Sequence, residues 1–257
     1  MTDKDLLYEV KDQVAWLTIN REAARNSISA QVTDLFFEYL EAAEKDVDVR
    51  AICITGAGEK AFCSGADLSG AMTDGGGKDP FQRYADLLKR IAGFPKPTVA
   101  RINGYCLAGG TGFMLGCDIV IAKEESKFGT PEVNVGLFPM MIGAMIFRNV
   151  PRKKAMEMAL LGDRLTAQQA LEMGMVTRVV PADQLDSEVQ SVLKTLAEKS
   201  PIGLKMGKEA FSQASDMSLN DALDFLSKKL VEVTTTEDAR EGITAFIEKR
   251  KPTFIGK

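Results

Sequence analysis

Short runs of apolar residues in the first half of the chain have the alternating or continuous pattern of β-strands. Residues 6–10 and 13–19 are two β-rich runs separated by Lys11-Asp12, a pattern typical of a hairpin. Residues 49–55 are apolar on both faces, which predicts a strand buried inside a sheet. Two further runs have the same character: Thr98–Ile102 and residues 118–122.

Apolar residues at helical spacing alternate with these strands. Ser29 is the predicted N-cap of a helix over Ala30–Lys45, and residues 81–91 form a second helix that ends at Gly93 and Pro95. Strands and helices in alternation predict a layered α/β architecture. Residues 69–79, with three consecutive glycines at 75–77, are the best candidate for a mobile loop.

The pattern becomes almost wholly helical after Pro151. Thr166 and Gln169 have the spacing of a capping box, and Gly174 ends the helix that follows. Further helices are predicted over residues 182–199, Pro201–Ala214, Leu219–Thr234 and residues 236–250. We therefore predict an α/β core over residues 1–200 and a helical region over residues 201–257, divided near Ser200-Pro201.

Composition narrows the classes of protein to consider. The chain has 257 residues, of which 45% are hydrophobic, so a sizeable core is expected. Its net charge of −4 gives no overall basic footprint, and we expect no nucleic-acid partner. The acidic N-terminus does not fit a secretory signal, and the longest apolar run, residues 137–147, is too short for a membrane span and contains Pro139. We expect a soluble, cytoplasmic protein with no membrane partner.

The chain contains no histidine, which removes Ser-His-Asp and Cys-His catalysis and every imidazole metal site. Acid–base chemistry must then fall to Glu, Asp, Lys, Tyr or Cys. The four cysteines form no C-x-x-C pair, which argues against a zinc site and predicts buried free thiols: Cys53, Cys63, Cys106 and Cys117.

Residues 61–68 are the first segment that could carry chemistry. A turn of small residues follows a predicted strand, and Gly65 and Ala66 would let a ligand approach the backbone N–H groups. Taken alone, the segment is better explained as a tight turn with Asp67 as a helix cap.

Residues 102–116 are the second such segment, in which a strand runs into a glycine-rich turn and then a helix with free N–H groups. The glycines at 110, 112 and 116 have neither the dinucleotide-binding spacing nor the G-K-[ST] of a P-loop. Close helix–sheet packing through glycines explains the segment equally well.

Glu132 is the third candidate, a lone carboxylate between Pro131 and an uncharged stretch over residues 133–147. Apolar surroundings disfavour the charged form and raise the pKa of a carboxyl group toward the range useful for proton transfer. A carboxylate that starts a helix after proline is an equally good interpretation.

The order of seven segments resembles the crotonase superfamily, which includes enoyl-CoA hydratases and isomerases. The matching segments are Asn20-Arg21 with Asn26, K-A-F-x-x-G-A-D-L at 60–68, N-G-Y-x-x-x-G-G at 103–110, C-D-I-x-I-A at 117–122, F-G-x-P-E at 128–132, G-x-x-x-T-A-x-x-A-x-x-x-G-x-V at 162–176, and F-x-x-K-R-K-P-x-F at 246–254. They extend over nearly the whole chain.

This resemblance implies a spiral of ββα units followed by a helical region that forms trimers, commonly with two trimers stacked. It implies an acyl-CoA thioester substrate, with coenzyme A carried by the substrate and no metal or redox cofactor. The catalytic positions carried over are Glu132, as the acid–base group, and the backbone N–H groups of Ala66 and Gly109, which would stabilise a thioester enolate. Substrate contacts are implied at Ala24, Arg25, Ala66, Asp67, Leu68, Gly109, Gly112, Phe138, Phe254 and Lys257.

Gly112 departs from the family pattern. Hydratases of this family hold a water between two glutamates, and the first of these would fall at Gly112, which cannot position or deprotonate water. The simplest hypothesis is a one-base isomerase that converts 3-enoyl-CoA to 2-enoyl-CoA through Glu132. A hydratase that uses one glutamate and a non-catalytic acyl-CoA-binding protein remain as alternatives.

Overall fold

The chain begins with a hairpin. A computed structural model describes residues 4–67 and 79–257, so Leu68 and nearly all of the predicted mobile loop lie outside the described residues. Strands β1 (Leu6–Lys11) and β2 (Val14–Ile19) pair antiparallel. The turn lies at Asp12-Gln13, with φ of 51° and 64°, and not at Lys11-Asp12 as predicted, because the first strand extends one residue further.

Four parallel strands extend this hairpin into a six-stranded sheet of order β1-β2-β3-β5-β7-β10. The added strands are β3 (Ala51–Gly56), β5 (Thr98–Ile102), β7 (Ile119–Lys123) and β10 (Arg178–Val180). Every residue of β3 is buried, which confirms the predicted buried strand, although it begins at Ala51 and not at residue 49. The strand is buried because apolar side chains cover both faces of the sheet.

Helices cover the two faces. On one side lie α1 (Ala30–Lys45), which Ser29 caps by accepting from the Val32 N–H at 3.1 Å, and α2 (Pro80–Ala92). The helices that follow are α3 (Gly109–Leu115), α4 (Met140–Asn149), α5 (Arg152–Leu161), α6 (Ala167–Glu172) and α7 (Leu185–Ala197). Helix α7 covers the opposite face of the sheet. It is shorter than the predicted helix over 182–199, because residues 182–184 form a 3₁₀ turn. The capping box of Thr166 and Gln169 is confirmed.

A second sheet has four very short strands, in the order β4-β6-β8-β9. They are β4 (Ala61–Cys63), β6 (Tyr105–Leu107), β8 (Lys127–Gly129) and β9 (Leu165–Thr166). The first three are parallel neighbours. Their carboxyl ends therefore meet at one edge of the sheet, hereafter the carboxyl edge.

The chain ends in helices α8 (Pro201–Ala214), α9 (Leu219–Thr234) and α10 (Glu237–Glu248). The last is shorter than the predicted 236–250 because Thr236 is its N-cap and Lys249 leaves the helix at φ 56°. The division at Ser200-Pro201 stays a prediction: α8 begins there, but Lys208 contacts Asp118 and the Lys96 carbonyl of the core. Among the described helices, none has the length and apolar character needed to cross a bilayer.

Candidate active site

The carboxyl edge brings together the three segments singled out from the sequence. Residues 64–67 follow β4, Gly109 begins α3 just after β6, and Glu132 follows β8 in a 3₁₀ turn over Pro131–Val135. Because these strands are parallel neighbours, the segments that leave them are neighbours as well. The short strands thus place residues 66, 109 and 132 at one site.

Contacts through Ile28 fix the segment around Ala66 beside Gly109. Ile28 forms a parallel bridge with Ala66: its N–H donates to the Gly65 carbonyl at 2.8 Å, and its carbonyl accepts from the Asp67 N–H at 3.0 Å. A Cβ placed on Gly109 would lie 3.0 Å from Ile28 Cδ1, and one placed on Gly65 would lie 3.3 Å from the Gly109 nitrogen. The backbones at 65–66 and 109 are therefore in close approach.

Two backbone N–H groups at this approach have no acceptor among the described residues. Within residues 4–67 and 79–257, neither the Ala66 N–H nor the Gly109 N–H donates to another group. Successive N–H groups of a strand point to opposite sides, so the Ala66 N–H points away from its bridge to Ile28. Gly109 is the first residue of α3, where an N–H has no intrahelical acceptor. Two such donors can stabilise an oxyanion.

Ala108 holds the start of α3 in a strained conformation. Its φ of 49° and ψ of −126° lie in a region of backbone conformation where residues other than glycine are rarely found. Its N–H donates to the Gly129 carbonyl at 2.9 Å, which ties the start of α3 to the end of β8. Such strain persists only where the surroundings impose it, and it is common at functional sites.

One carboxylate oxygen of Glu132 has no partner in the part of the chain that the structure describes. Oε2 is buried and accepts no hydrogen bond from any described residue. Burial raises the pKa of Glu132 above its ordinary value of 4.5, and a contact with its own backbone N–H opposes this in part. A carboxylate that served only to start a helix would gain nothing from a buried oxygen that accepts no hydrogen bond. The unpartnered oxygen favours the acid–base interpretation.

The cysteines of this sheet do not compete for that role. Cys63 in β4 and Cys106 in β6 are buried, and all four cysteines are free, as predicted. The predicted burial is wrong for Cys117, which is only partly buried. Burial raises the pKa of Cys63 to about 12 and that of Cys106 well above its ordinary value. Both thiols therefore stay protonated near neutral pH.

Gly112 faces side chains that already fill the space beside it. A Cβ placed there would lie 2.7 Å from Ile142 Cγ2 and 3.0 Å from Leu88 Cδ2, and it would clash with the Tyr84 hydroxyl. The same hydroxyl donates to the Gly109 carbonyl at 2.5 Å. Sequence reasoning missed Tyr84, since its spacing from Leu88 on α2 indicates only a core-facing position.

Four of the residues implied to contact the substrate are close to Ala66 in the chain or in the fold, and their surroundings differ. Ala24 and Arg25 are exposed, and the Arg25 carbonyl accepts from the Ser64 N–H at 3.2 Å, so their turn borders residues 64–67. The Asp67 carboxylate instead pairs with Arg21 at 2.8 Å, a contact within the protein. Leu68 lies outside the described residues.

Three implied contacts lie elsewhere. Phe138 is exposed just before α4, the helix that packs on α3. Phe254 and Lys257 follow α10 and pack back against it: the Phe254 ring is 3.4 Å from a Cβ placed on Gly242, and the Lys257 carbonyl accepts from the Asp238 N–H at 2.9 Å. The described contacts do not bring these last two to Glu132.

Comparison with known proteins decides the family. The family model described as "Enoyl-CoA hydratase/isomerase" matches residues 9–257. The chain belongs to this enoyl-CoA hydratase/isomerase family. A Mycobacterium tuberculosis protein named "Probable enoyl-CoA hydratase echA8" is 36% identical over 258 residues, 99% of each chain. The "2,3-dehydroadipyl-CoA hydratase" of Escherichia coli is 34% identical over 254 residues, 98% of this chain and 99% of its own.

Solved structures of the family have the same fold. The crystal structure of an enoyl-CoA hydratase from Mycobacterium smegmatis superposes with a TM-score of 0.92 at 30% identity, covering 97% of this chain and 98% of that one. An enoyl-CoA hydratase from Bacillus anthracis gives 0.92 at 30% identity, covering 98% and 100%. The protein is thus a crotonase-fold enzyme of the enoyl-CoA hydratase/isomerase family, and an acyl-CoA thioester substrate fits that family.

Proposed function

We propose that the protein is an isomerase that converts a 3-enoyl-CoA to a 2-enoyl-CoA with Glu132 as its single acid–base group. The observation that carries the proposal is the surroundings of Gly112. Where a second carboxylate would be needed to activate water, the described side chains are the neutral groups of Tyr84, Leu88 and Ile142. Glu132, whose Oε2 accepts no hydrogen bond from the described residues, is left to exchange the proton.

The reaction needs two proton transfers and no water. The thioester oxygen binds between the N–H groups of Ala66 and Gly109, and Glu132 removes a proton from C2 of the acyl chain. The electron pair moves toward the thioester oxygen, where the two donors stabilise the enolate. The protonated Glu132 then returns the proton to C4, and the double bond lies between C2 and C3. Atoms and charge balance.

An assay with paired substrates tests this function. Purified protein is mixed with a 3-enoyl-CoA or with the matching 2-enoyl-CoA, and the absorbance of the conjugated thioester is followed. We expect the absorbance to rise with the first substrate and to fall little with the second. No rise with 3-enoyl-CoA substrates of several chain lengths would contradict the proposal.

Hydration is the second candidate, since the relatives quoted above are named hydratases. In that case the absorbance of the 2-enoyl-CoA falls rapidly as water adds across the double bond. A protein that only binds acyl-CoA would change neither substrate. The buried, unpartnered Glu132 oxygen argues against that third hypothesis, because binding alone gains nothing from a desolvated carboxylate.

The pH dependence of turnover should report the surroundings of Glu132. The base must be ionised, so kcat/KM falls as the pH drops through the Glu132 pKa. Because burial raises that pKa, the fall should be centred above pH 4.5. A pH–rate profile on stable protein measures it; a midpoint at or below 4.5 would contradict the assignment.

We also propose that the chain works as a trimer or a multiple of it. Large apolar side chains on α9 and α10 lie in solvent in the single chain, with Leu219 75% exposed and Phe246 85% exposed. Leu230, also on α9, is exposed as well. Light scattering should give a mass that is a multiple of three chains of 28.0 kDa. A monomer at micromolar concentration would contradict this.

A further inference from the structure

The Tyr84 side chain is half-buried beside Gly112 and held by two contacts. Its hydroxyl donates to the Gly109 carbonyl at 2.5 Å, and its ring packs against Phe113 with centroids 5.7 Å apart. The charge of Glu132 contributes to the raised pKa of its phenol. Tyr84 therefore occupies a defined volume against α3, beside Gly112.

We propose that Tyr84 determines the reaction specificity by filling the space beside Gly112, so that no water can be held there for attack on the substrate. This inference rests on the proposed isomerase function and names the residue that keeps the site to one-base chemistry. Tyr84 acts by position, since nothing requires its oxygen to exchange a proton with the substrate.

The chemistry of the phenol supports a positional role. Hydration adds the water oxygen to C3 and a proton to C2, so the water must lose a proton as it attacks. Burial, and then the neighbouring Cys63, Glu132 and Cys106, raise the pKa of Tyr84 well above its ordinary value. The phenol is neutral near pH 7 and cannot accept that proton. Its own proton is already donated to Gly109.

The packing makes Tyr84 and residue 112 compete for one volume. Any side chain at position 112 would overlap the Tyr84 hydroxyl, and a carboxylate would also meet Leu88 and Ile142. Overpacking a buried site is destabilising. Removal of the Tyr84 ring should provide the room that a longer side chain at 112 requires.

A double-mutant cycle tests this competition without relying on turnover. The four proteins are the wild type, Gly112→Glu, Tyr84→Ala and the double variant, and their melting temperatures are measured. We expect Gly112→Glu to lower the melting temperature by about 5–10 °C in the wild type. In the Tyr84→Ala background the same substitution should lower the melting temperature by less than half as much, since residues that share a volume are coupled. Equal losses in both backgrounds would overturn the proposal.

The reaction catalysed gives the second measurement. The rates of water addition to a 2-enoyl-CoA and of 3-enoyl-CoA isomerisation are compared for each folded protein. We expect the ratio of hydration to isomerisation to rise by about tenfold or more in Tyr84→Ala, because water then reaches the space beside Gly112 and Glu132 alone can take up the proton that the water loses and deliver it to C2. Tyr84→Phe keeps the ring and should stay within about twofold of the wild type. An unchanged ratio in Tyr84→Ala, or an equal rise in Tyr84→Phe, would overturn the proposal.

Two further variants distinguish an effect of Tyr84 on the reaction from a general loss of stability. Tyr39→Ala removes a buried ring on α1 that contacts Tyr8, and it should leave the ratio unchanged. Tyr84→Leu replaces Tyr84→Ala if the alanine variant does not fold, with the same expected direction. A wild type that does not isomerise would overturn the proposed function, while the stability coupling and the gain in hydration still test Tyr84.

Discussion

Glu132→Gln should lose isomerase turnover by about 10²–10⁴-fold while it keeps the fold and acyl-CoA binding. Glutamine has nearly the same shape as glutamate but cannot accept the C2 proton. The fold should be kept because Oε2 makes no hydrogen bond with any described residue. The amide of glutamine therefore breaks no structural contact of that oxygen. Steady-state kinetics with a 3-enoyl-CoA and calorimetric titration of acyl-CoA measure the two properties separately.

The matched control is Glu125→Gln, a change of the same type at an exposed position just before β8. It should leave kcat, KM and the melting temperature unchanged. The variant at 132 is also expected to melt slightly higher than the wild type, because an amide is less costly than a carboxylate to bury. Turnover within about threefold of the wild type in Glu132→Gln would remove Glu132 from the mechanism.

The sequence predicts the large sheet and its helices better than the small sheet. Helices over Ala30–Lys45, Pro201–Ala214 and Leu219–Thr234 have the predicted bounds, because each presents a continuous apolar stripe after a capping residue. Strands of two or three residues, such as β4 and β8, are too short to show a period. The periodicity of the sequence therefore could not predict the small sheet, whose strands bring the candidate site together.

The candidate site shows the same division between local pattern and tertiary contact. The residue types at 66, 109 and 132 are visible in the sequence, but their approach depends on the parallel pairing of β4, β6 and β8. Gly112 reveals a missing carboxylate and says nothing of what fills its place. Tyr84 lies on another helix, and its helical spacing is that of an ordinary core residue.

Gly65→Ala should lower kcat by about 10²–10³-fold with a smaller change in KM, through loss of one oxyanion donor. Gly65 has a φ of 102°, which an alanine adopts only with strain. Its Cβ would lie 2.6 Å from Ala108 Cβ and 3.3 Å from the Gly109 nitrogen, so the two segments must separate. The N–H groups of Ala66 and Gly109 then no longer converge on one oxygen.

A split between kcat and KM distinguishes this loss from general damage. The donors act most strongly on the enolate, whose charge develops during the reaction, so their displacement raises the barrier more than it weakens substrate binding. Gly207→Ala is the matched control: it lies on α8, and its Cβ would have nothing within 4 Å. We expect it to keep wild-type kinetics. A folded Gly65→Ala protein with kcat within about twofold of the wild type would show that the approach of residues 65–66 to Gly109 does not support turnover.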